Sequence, residues 1–253
     1  VAVRALAVAL LALASVSASA QERYPSRPIE VIVPWGPGGG SDQTARRVTQ
    51  FLEPLLKVSL PVLNVPGASG ITGVTRIMNA PADGYTLGVT GDIYAPMGQP
   101  SSKWKLADFT PLAIVISQPS ALFVAADSRF KTWADFEQEA RANPGKLKIA
   151  FVGFNSIDEI HINNLNAKGI KVTAVPFTKP GERYAAVLGG HADVLYEQAG
   201  DIRNYLEGKQ IRPLLSVSEQ RFPAYAQVPT AREAGIDVTV PQFRWVFMRG
   251  GTG

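Results

Sequence analysis

Four short loops, rich in glycine and small polar residues, each follow a strand-like segment and open a helix-like segment. They span residues 34–42, 66–70, 153–156 and 176–181. The first N–H groups of a helix have no acceptor within the helix and carry the positive end of its dipole, so such a loop can bind an anion. Taken singly, each loop is also explained as a tight turn with a helix cap. The set of four predicts an anion-binding cleft.

The side chains of these loops add hydrogen-bonding groups that carry no charge. They are Ser41, Ser69, Asn155, Ser156 and Thr178. Two aromatic residues, Trp35 and Phe177, stand one in each of two loops. They fit two interpretations equally, as covers over a bound solute or as core residues.

One carboxylate stands where it could meet a ligand. Glu197 follows the apolar run 194–196, at the carboxyl end of a predicted strand. It could orient a water molecule or bind an ammonium or hydroxyl group of a ligand, and it fits a solvated loop acid as well. Asp193, four residues earlier on the same face, is read as the polar start of that strand.

The sequence motifs typical of catalysis and of cofactor binding are absent or incomplete in this chain. The chain has no cysteine, which excludes thiol catalysis and cysteine metal sites. The turn at 36–41 is one residue short of a dinucleotide fingerprint, and no Lys-Ser or Lys-Thr follows its glycines. Asp158 and His161 share a helix face without further ligands nearby. We therefore expect no enzymatic activity, no cofactor and no metal site.

Strand-like and helix-like segments alternate, which predicts an α/β fold with mostly parallel sheets flanked by helices. Pro119 interrupts the apolar stretch 112–126, which we read as two strands joined by a hinge-like break between two lobes. The first lobe is expected over 21–120 plus 218–253, and the second over 121–217. Thr132 is expected to cap a helix, with Asp135 at the capping-box position. Further helices are expected over 42–56, 71–79, 157–167 and 181–188, and a short one over 229–235. A strand over 212–217 is expected to return to the first lobe, and a last strand is expected over 238–247.

Composition and the first residues bear on class and location. The chain is 46% hydrophobic and 18% charged, and its net charge of +4 comes from scattered basic residues, so we expect a globular protein that does not bind nucleic acid. Arg4 precedes the apolar run 5–14, and an Ala-x-Ala pattern ends at Ala20. This is typical of a secretory signal peptide over 1–20 and predicts a periplasmic protein.

Several motifs, in order, resemble one family over the whole chain after residue 20. They are Tyr24-Pro25-Ser26-Arg27-Pro28-Ile29, the Pro-Gly-Gly-Gly-Ser-Asp turn at 37–42, Asn64-Val65-Pro66-Gly67-Ala68-Ser69-Gly70, Pro81-Ala82-Asp83-Gly84-Tyr85-Thr86-Leu87, Val175-Pro176-Phe177, Leu188-Gly189-Gly190-His191-Ala192-Asp193 and Val228-Pro229-Thr230-Ala231-Arg232-Glu233-Ala234-Gly235. They resemble the extracytoplasmic receptors of tripartite tricarboxylate transporters, known as Bug or TctC-like proteins.

The resemblance implies a two-lobed periplasmic-binding-protein fold of the type II kind. Such a protein closes over a small organic acid (a di- or tricarboxylate, an aromatic acid or an acidic amino acid) and delivers it to integral-membrane permease subunits. A receptor that signals to a membrane sensor is the alternative, and we expect a monomer in either case.

The resemblance also implies a set of ligand-contacting residues and two differences from the family. The expected contacts are Trp35, Pro37, Gly38, Gly39, Ser41, Asp42, Ala68, Ser69, Gly70, Thr90, Gly91, Asp92, Gly153, Asn155, Ser156, Phe177, Thr178, Lys179 and Glu197. Many relatives carry Asp at the position aligned with Glu197, and His161 matches a histidine common at its helix position, which favours a structural role. Members continue several tens of residues beyond position 253, so we expect the first lobe to be incomplete in this chain.

Overall fold

The computed structural model describes residues 23–91, 97, 103–236 and 242–252, in two five-stranded sheets. The expected signal peptide and Asp92 lie outside these residues. The first sheet contains β1 (Glu30–Val33), β2 (Val62–Asn64), β3 (Thr86–Thr90), β4 (Phe109–Gln118) and β10 (Gln242–Arg249), in the order β2-β1-β3-β10-β4. The second contains β5 (Ser120–Ala125), β6 (Lys148–Phe151), β7 (Thr173–Pro176), β8 (Val194–Gln198) and β9 (Ile211–Val217), in the order β7-β6-β8-β5-β9.

Six α-helices within the described residues flank these sheets. Those of the first sheet are α1 (Gly40–Leu56) and α2 (Ile71–Asn79). Those of the second are α3 (Trp133–Ala142), α4 (Ile157–Ala167), α5 (Pro180–Leu188) and α6 (Arg203–Glu207). We call each sheet with its helices a lobe. The predicted two-lobed α/β class is therefore confirmed.

The sheets are mixed rather than mostly parallel. In the first sheet β1 pairs in parallel with β2 and β3, whereas β10 is antiparallel to β3 and β4. The second sheet repeats this: β6 is parallel to β7 and β8, and β5 is antiparallel to β8 and β9. The difference arises because β5 and β10 enter their sheets from the other lobe rather than through a crossover helix.

The first crossing between the lobes is short. Pro119 alone separates β4, in the first sheet, from β5, in the second, and the predicted break is found at this residue. Proline has no N–H to donate to a ladder, which explains why neither strand continues through it.

The return to the first lobe comes later than the sequence predicts. The strand over 211–217 does not return to the first lobe, because it pairs with β5 as the edge of the second sheet. Ala231 and Ile236 pack into the core of the second lobe, and Ala231 N–H donates to Ser216 O at 2.7 Å. Residues 229–235 form turns rather than the expected helix. The chain therefore rejoins the first sheet only at β10.

Local signals fix several elements. Thr132 Oγ1 accepts the Asp135 N–H at 3.2 Å and Asp135 Oδ2 accepts the Thr132 N–H at 2.8 Å, so the predicted capping box is present. In β5, Leu122 and Val124 face one apolar cluster, while Ala121 and Phe123 face the other. The second lobe is thus buried on both faces of its sheet, which holds the carboxyl ends of its strands in place at the cleft.

Candidate functional site

A small polar cavity lies between the two lobes, at the carboxyl ends of the parallel strands, as expected for an α/β sheet. Its volume is about 50 Å³, well below the roughly 300–1,000 Å³ of typical ligand pockets. The first lobe lines it with Trp35, Gly39, Gly40, Ser41, Gly91, Gln242 and Arg244. The second lobe lines it with Val152, Asp158, Thr178, Pro180, Arg183, Glu197, Gln198 and Asp201.

The lobes touch at the rim of this cavity, where glycines allow close approach. A Cβ atom built on Gly39 would lie 3.0 Å from Pro180 Cγ, and one built on Gly36 would lie 3.5 Å from Thr178 O. A Cβ atom on Gly153 would lie 3.5 Å from Ser69 Oγ of the first lobe. The structure is therefore a closed form, with room for only a few water molecules.

Helix α1 presents its amino terminus to the cavity. Its cap residue is Gly39, which has no side chain to occupy the first N–H groups. Asp42, in the first turn, accepts the Gly38 N–H at 2.9 Å and a bond from Arg46 Nε at 3.1 Å. Burial alone would raise the pKa of Asp42, but these two donors outweigh it and lower the pKa. Asp42 therefore serves its own helix rather than the cavity.

A buried ion pair joins the lobes across the cavity. Arg244 Nη2, on β10, donates to Asp201 Oδ2, in the turn after β8, and also to Gln198 Oε1 at 3.2 Å. Gln118 Nε2 donates to Asp201 Oδ1 at 3.3 Å. Burial, followed by repulsion from Glu197, raises the pKa of Asp201 to about 6 against the opposing effect of Arg244.

A second buried ion pair lies wholly within the second lobe. Arg183 Nη2, on α5, donates to Glu197 Oε2, and the Tyr184 hydroxyl donates to the same oxygen at 3.0 Å. Burial would lower the pKa of Arg183, but the charge of Glu197 more than offsets it, so the pKa is raised. Burial, and then Glu197, also raises the pKa of the Tyr184 hydroxyl.

These contacts change the interpretation of Glu197. It lies within β8 and is 4% exposed, so the solvated loop acid is wrong. One oxygen accepts from two side chains and the other accepts the Gln198 N–H at 3.1 Å. Glu197 lines the cavity, and direct contact between it and a ligand stays a prediction.

Each arginine retains an unsatisfied donor. Within the described part of the chain, Arg183 Nε and Arg244 Nη1 are buried and have no hydrogen-bond acceptor. Leaving a buried charged donor unpaired costs free energy. An acceptor oxygen brought in by a ligand would satisfy these donors, so the two arginines are candidate anion-binding groups of the cavity.

Other predicted site residues support the cavity or lie away from its wall. Trp35 Nε1 donates to Thr90 Oγ1 at 2.9 Å, so the buried Thr90 orients the indole ring. Ser156 is fully buried and caps α4, with its Oγ accepting the Glu159 N–H at 3.3 Å and donating to Gly153 O at 2.6 Å. Phe177 packs against the core of the second lobe, which favours its core interpretation.

The remaining predicted contacts are placed as follows. Pro37 and Gly38 line a separate surface depression beside α5. Lys179 is exposed and pairs with Glu182 at 2.8 Å. Residues 68–70 form a turn in which Ala68, Ser69 and Gly70 all have positive φ, and a Cβ atom on Gly70 would lie 3.3 Å from the Trp35 ring. Asn155 is exposed at the outer rim. Loops 66–70 and 153–156 thus shape the rim rather than the wall.

The surroundings of His161 are those of a structural core residue rather than of a residue that binds a metal or a ligand. It is 3% exposed, and its Nδ1 shares a 2.5 Å hydrogen bond with the Tyr196 hydroxyl. Burial lowers the pKa of His161 to about 4. Among the described residues no three His, Asp or Glu side chains form a metal-binding group.

Several wall residues lie outside the loops and contacts that the sequence predicts. They are Val152, Asp158 (considered only as a metal ligand), Arg183, Gln198, Asp201, Gln242 and Arg244. One signal could have found Arg244: it is a single charge among apolar and aromatic residues in the stretch 243–248. A buried strand holds such a charge only when it is paired.

Comparison with known proteins gives three kinds of match. The family model described as "Tripartite tricarboxylate transporter family receptor" matches residues 44–250. A protein encoded in the tcbD-tcbE intergenic region of Pseudomonas sp. strain P51 is 31% identical over 237 residues, covering 91% of this chain and 70% of that protein. MatC of Rhodopseudomonas palustris, solved with bound malate, is 28% identical with a TM-score of 0.82, covering 91% of this chain and 80% of that one. A second R. palustris protein, solved with adipate, is 25% identical with a TM-score of 0.80, covering 91% and 79%.

Proposed function

Because the chain belongs to the tripartite tricarboxylate transporter receptor family, we propose that it is an extracytoplasmic receptor that encloses a small organic carboxylate between its lobes and delivers it to a membrane permease. The family match confirms the resemblance drawn from the motifs. Receptors of this kind trap a solute by closure of two lobes around it.

The observation that carries the proposal is the wall of the cavity. Two buried arginines, one from each lobe, each keep a donor that has no acceptor in the part of the chain that the structure describes, and helix α1 points its amino terminus at the same space. Both features favour a carboxylate, since guanidinium groups and helix starts bind anions. Two structural relatives hold malate and adipate, which are dicarboxylates.

We propose binding without chemistry. The acids at the wall are committed to hydrogen bonds: Glu197 to Arg183, Asp201 to Arg244, and Asp158 to the Val152 N–H at 3.1 Å. General acid–base catalysis needs a group within reach of the substrate and free to exchange its proton. Carboxylates that are already hydrogen-bonded to other protein groups are better suited to orienting a ligand than to acting on it as an acid, a base or a nucleophile.

Export and transport form the second half of the proposal. The sequence pattern of residues 1–20 supports export through a signal peptide. None of the helices in the described residues is long and apolar enough to cross a bilayer. We propose the periplasm as the location and a permease as the partner.

Thermal unfolding of the chain from Gln21 onward, with an organic acid panel, tests the binding proposal. The panel includes malate, adipate, citrate, benzoate and glutamate, with glucose and choline as controls. An acid present at 100 times its dissociation constant stabilises the protein by about 2.7 kcal/mol. Stabilisation by glucose or choline, with no response to any acid, would contradict the proposal.

Transport is tested separately from binding. Uptake of the labelled acid is measured in cells that express a permease of the tripartite tricarboxylate transporter type, with and without the receptor. Uptake that depends on the receptor supports delivery. Binding without receptor-dependent uptake would favour the signalling alternative.

A further inference from the structure

The ion pair between Arg244 and Asp201 lies against the first turn of α1. A Cβ atom built on Gly40, the first residue of this 17-residue helix, would lie 2.0 Å from Arg244 Nη2 and 2.0 Å from Asp201 Oδ2. The carboxylate of Asp201 therefore lies where the helix dipole and a guanidinium group act together. This is the geometry of an anion subsite, and a side chain of the protein already fills it.

Asp201 uses the subsite incompletely. Its carboxylate bonds Arg244 through Nη2, and Arg244 Nη1 is left buried without an acceptor within the described residues. Arg244 itself is 4% exposed. Guanidinium groups bind a carboxylate most strongly through two parallel N–H bonds. A carboxylate free of the constraints of a backbone turn can make both.

While Asp201 stays in place, the small volume of the cavity and the charges of its wall both disfavour ligand binding. The cavity holds about 50 Å³, too little for a dicarboxylate. Its described wall carries two arginines and three acids, namely Asp158, Glu197 and Asp201. An entering carboxylate would add a further negative charge to this set, and burial of unpaired charge is costly.

We propose that Asp201 is a tethered competitor, whose carboxylate occupies the Arg244–α1 subsite in the closed form and is displaced when the ligand carboxylate binds there. This inference rests on the proposed function and assigns Arg244 as the residue that recognises the ligand carboxylate. Displacement enlarges the cavity and removes one negative charge from its wall. The affinity observed for a ligand is then reduced by the fraction of protein in which Asp201 holds the subsite.

The surroundings of Asp201 support easy release of its charge. Facing it are Arg244 of β10, Glu197 of β8, Gln118 of β4 and Tyr184 of α5. Burial, together with Glu197, raises the pKa of Asp201 to about 6, despite Arg244. A raised pKa means that the ionised carboxylate is less stable in this place than in water, which favours its displacement above about pH 6. Below that pH the protonated Asp201 is more stable in place, and its displacement by a ligand releases a proton.

The test uses Asp201→Asn, which removes the charge with little change in shape. Dissociation constants for malate and adipate are measured by calorimetry on wild type, on this variant and on Asp127→Asn, a control at an exposed position. We expect the Asp201 variant to bind the acid at least about tenfold more tightly, which corresponds to about 1.4 kcal/mol, and the control to bind as wild type does. Arg244→Gln should lose binding both alone and when it is combined with Asp201→Asn.

The outcomes separate this inference from the proposed function. If wild type binds an acid and Asp201→Asn binds it equally or more weakly, Asp201 is a cross-lobe latch that aids closure, and the inference is overturned. If neither protein binds any carboxylate of the panel, the proposed function fails as well. Binding seen only after removal of the Asp201 charge would support both.

A pH series keeps the inference testable if the variant does not fold. Between about pH 8 and about pH 6, wild type should bind adipate about twofold more weakly, because about half of the protein then holds a protonated Asp201, which must lose its proton when it is displaced into water. Asp201→Asn, where it folds, should show no such loss. A wild-type affinity that stays constant or rises towards pH 6 would overturn the inference.

Discussion

The two lobes have the same strand order and the same helix placements, yet they bring different chemistry to the cavity. In each lobe the helix after the central parallel strand begins at the cleft: α1 follows β1, and α4 follows β6. In each, an acid at the third helical position bonds the N–H four residues earlier: Asp42 with Gly38 and Glu159 with Asn155. The scaffold is thus used twice.

The difference lies at the cap. In α4 the cap Ser156 satisfies the Glu159 N–H, and Asp158 turns back to the Val152 N–H. In α1 the cap is Gly39, followed by Gly40 and Ser41, and among the described residues no side chain makes a cap hydrogen bond to the helix start. The second lobe supplies its helix with its own acceptors, whereas the first lobe leaves this place to a carboxylate from elsewhere. The helix start of the second lobe is thus complete in itself, whereas we propose that the helix start of the first lobe is completed by an anion.

Arg244→Gln should give the largest change, since it removes the first lobe's one charged side chain among the described wall residues. Asp201 then remains buried without its cation, which costs about 3–5 kcal/mol. We expect the free energy of unfolding in urea to fall by this order near pH 8, and by less below pH 6, where Asp201 is protonated. Arg249→Gln, at an exposed position on the same strand, is the control. An equal loss in both variants would mean that the ion pair contributes nothing particular.

Acid should lower the free energy of unfolding through His161. This residue lies in the second lobe, as does His191, the other histidine of the chain. Its pKa is lowered from 6.5 to about 4 in the folded protein, so the unfolded chain binds more protons between these values. Stability from this group is therefore present above about pH 6.5 and is lost as the pH falls to about 4, a loss of up to about 3 kcal/mol.

Asp201 acts in the opposite direction, because its raised pKa favours the folded protein as the pH falls from about 6 to 3.8. The difference between wild type and His161→Gln isolates the histidine. Unfolding measured from pH 8 to about pH 4 should show the wild type losing its advantage over this variant. Parallel curves would place the charge of His161 outside the pH dependence.

Ser156→Ala tests the cap itself. It removes the acceptor for the Glu159 N–H at a fully buried position, with an expected loss of about 1 kcal/mol. Gly181→Ala, in the first turn of α5 with no atom within 4 Å of the added methyl, is the matched control and should not destabilise. A loss in Ser156→Ala no larger than in the control would erase the contrast between the two helix starts.

The parts of this protein that could be predicted are those set by neighbouring residues. The Thr132–Asp135 capping box, the break at Pro119 and the span of α4 all depend on contacts within a few positions of the chain. The family and the class of fold followed from motifs of the same short range.

The charged wall could not be predicted, because its partners are far apart in the sequence. Arg244 and Asp201 are 43 residues apart and belong to different lobes. The stretch 243–248 indicates a buried and paired Arg244, but no local pattern identifies its partner, and Asp201 alone fits a surface residue. The prediction of a neutral cleft is therefore incomplete. Residues of the predicted loops line the cavity, but two arginines line it as well.

The missing side chain at position 40 also has a consequence for how the sequence can drift. Any residue larger than glycine there would overlap both members of the ion pair. A methyl group at position 40 therefore requires the ends of both side chains to move, which would disrupt the ion pair as it is built here. Substitutions at these three positions should therefore occur together among relatives.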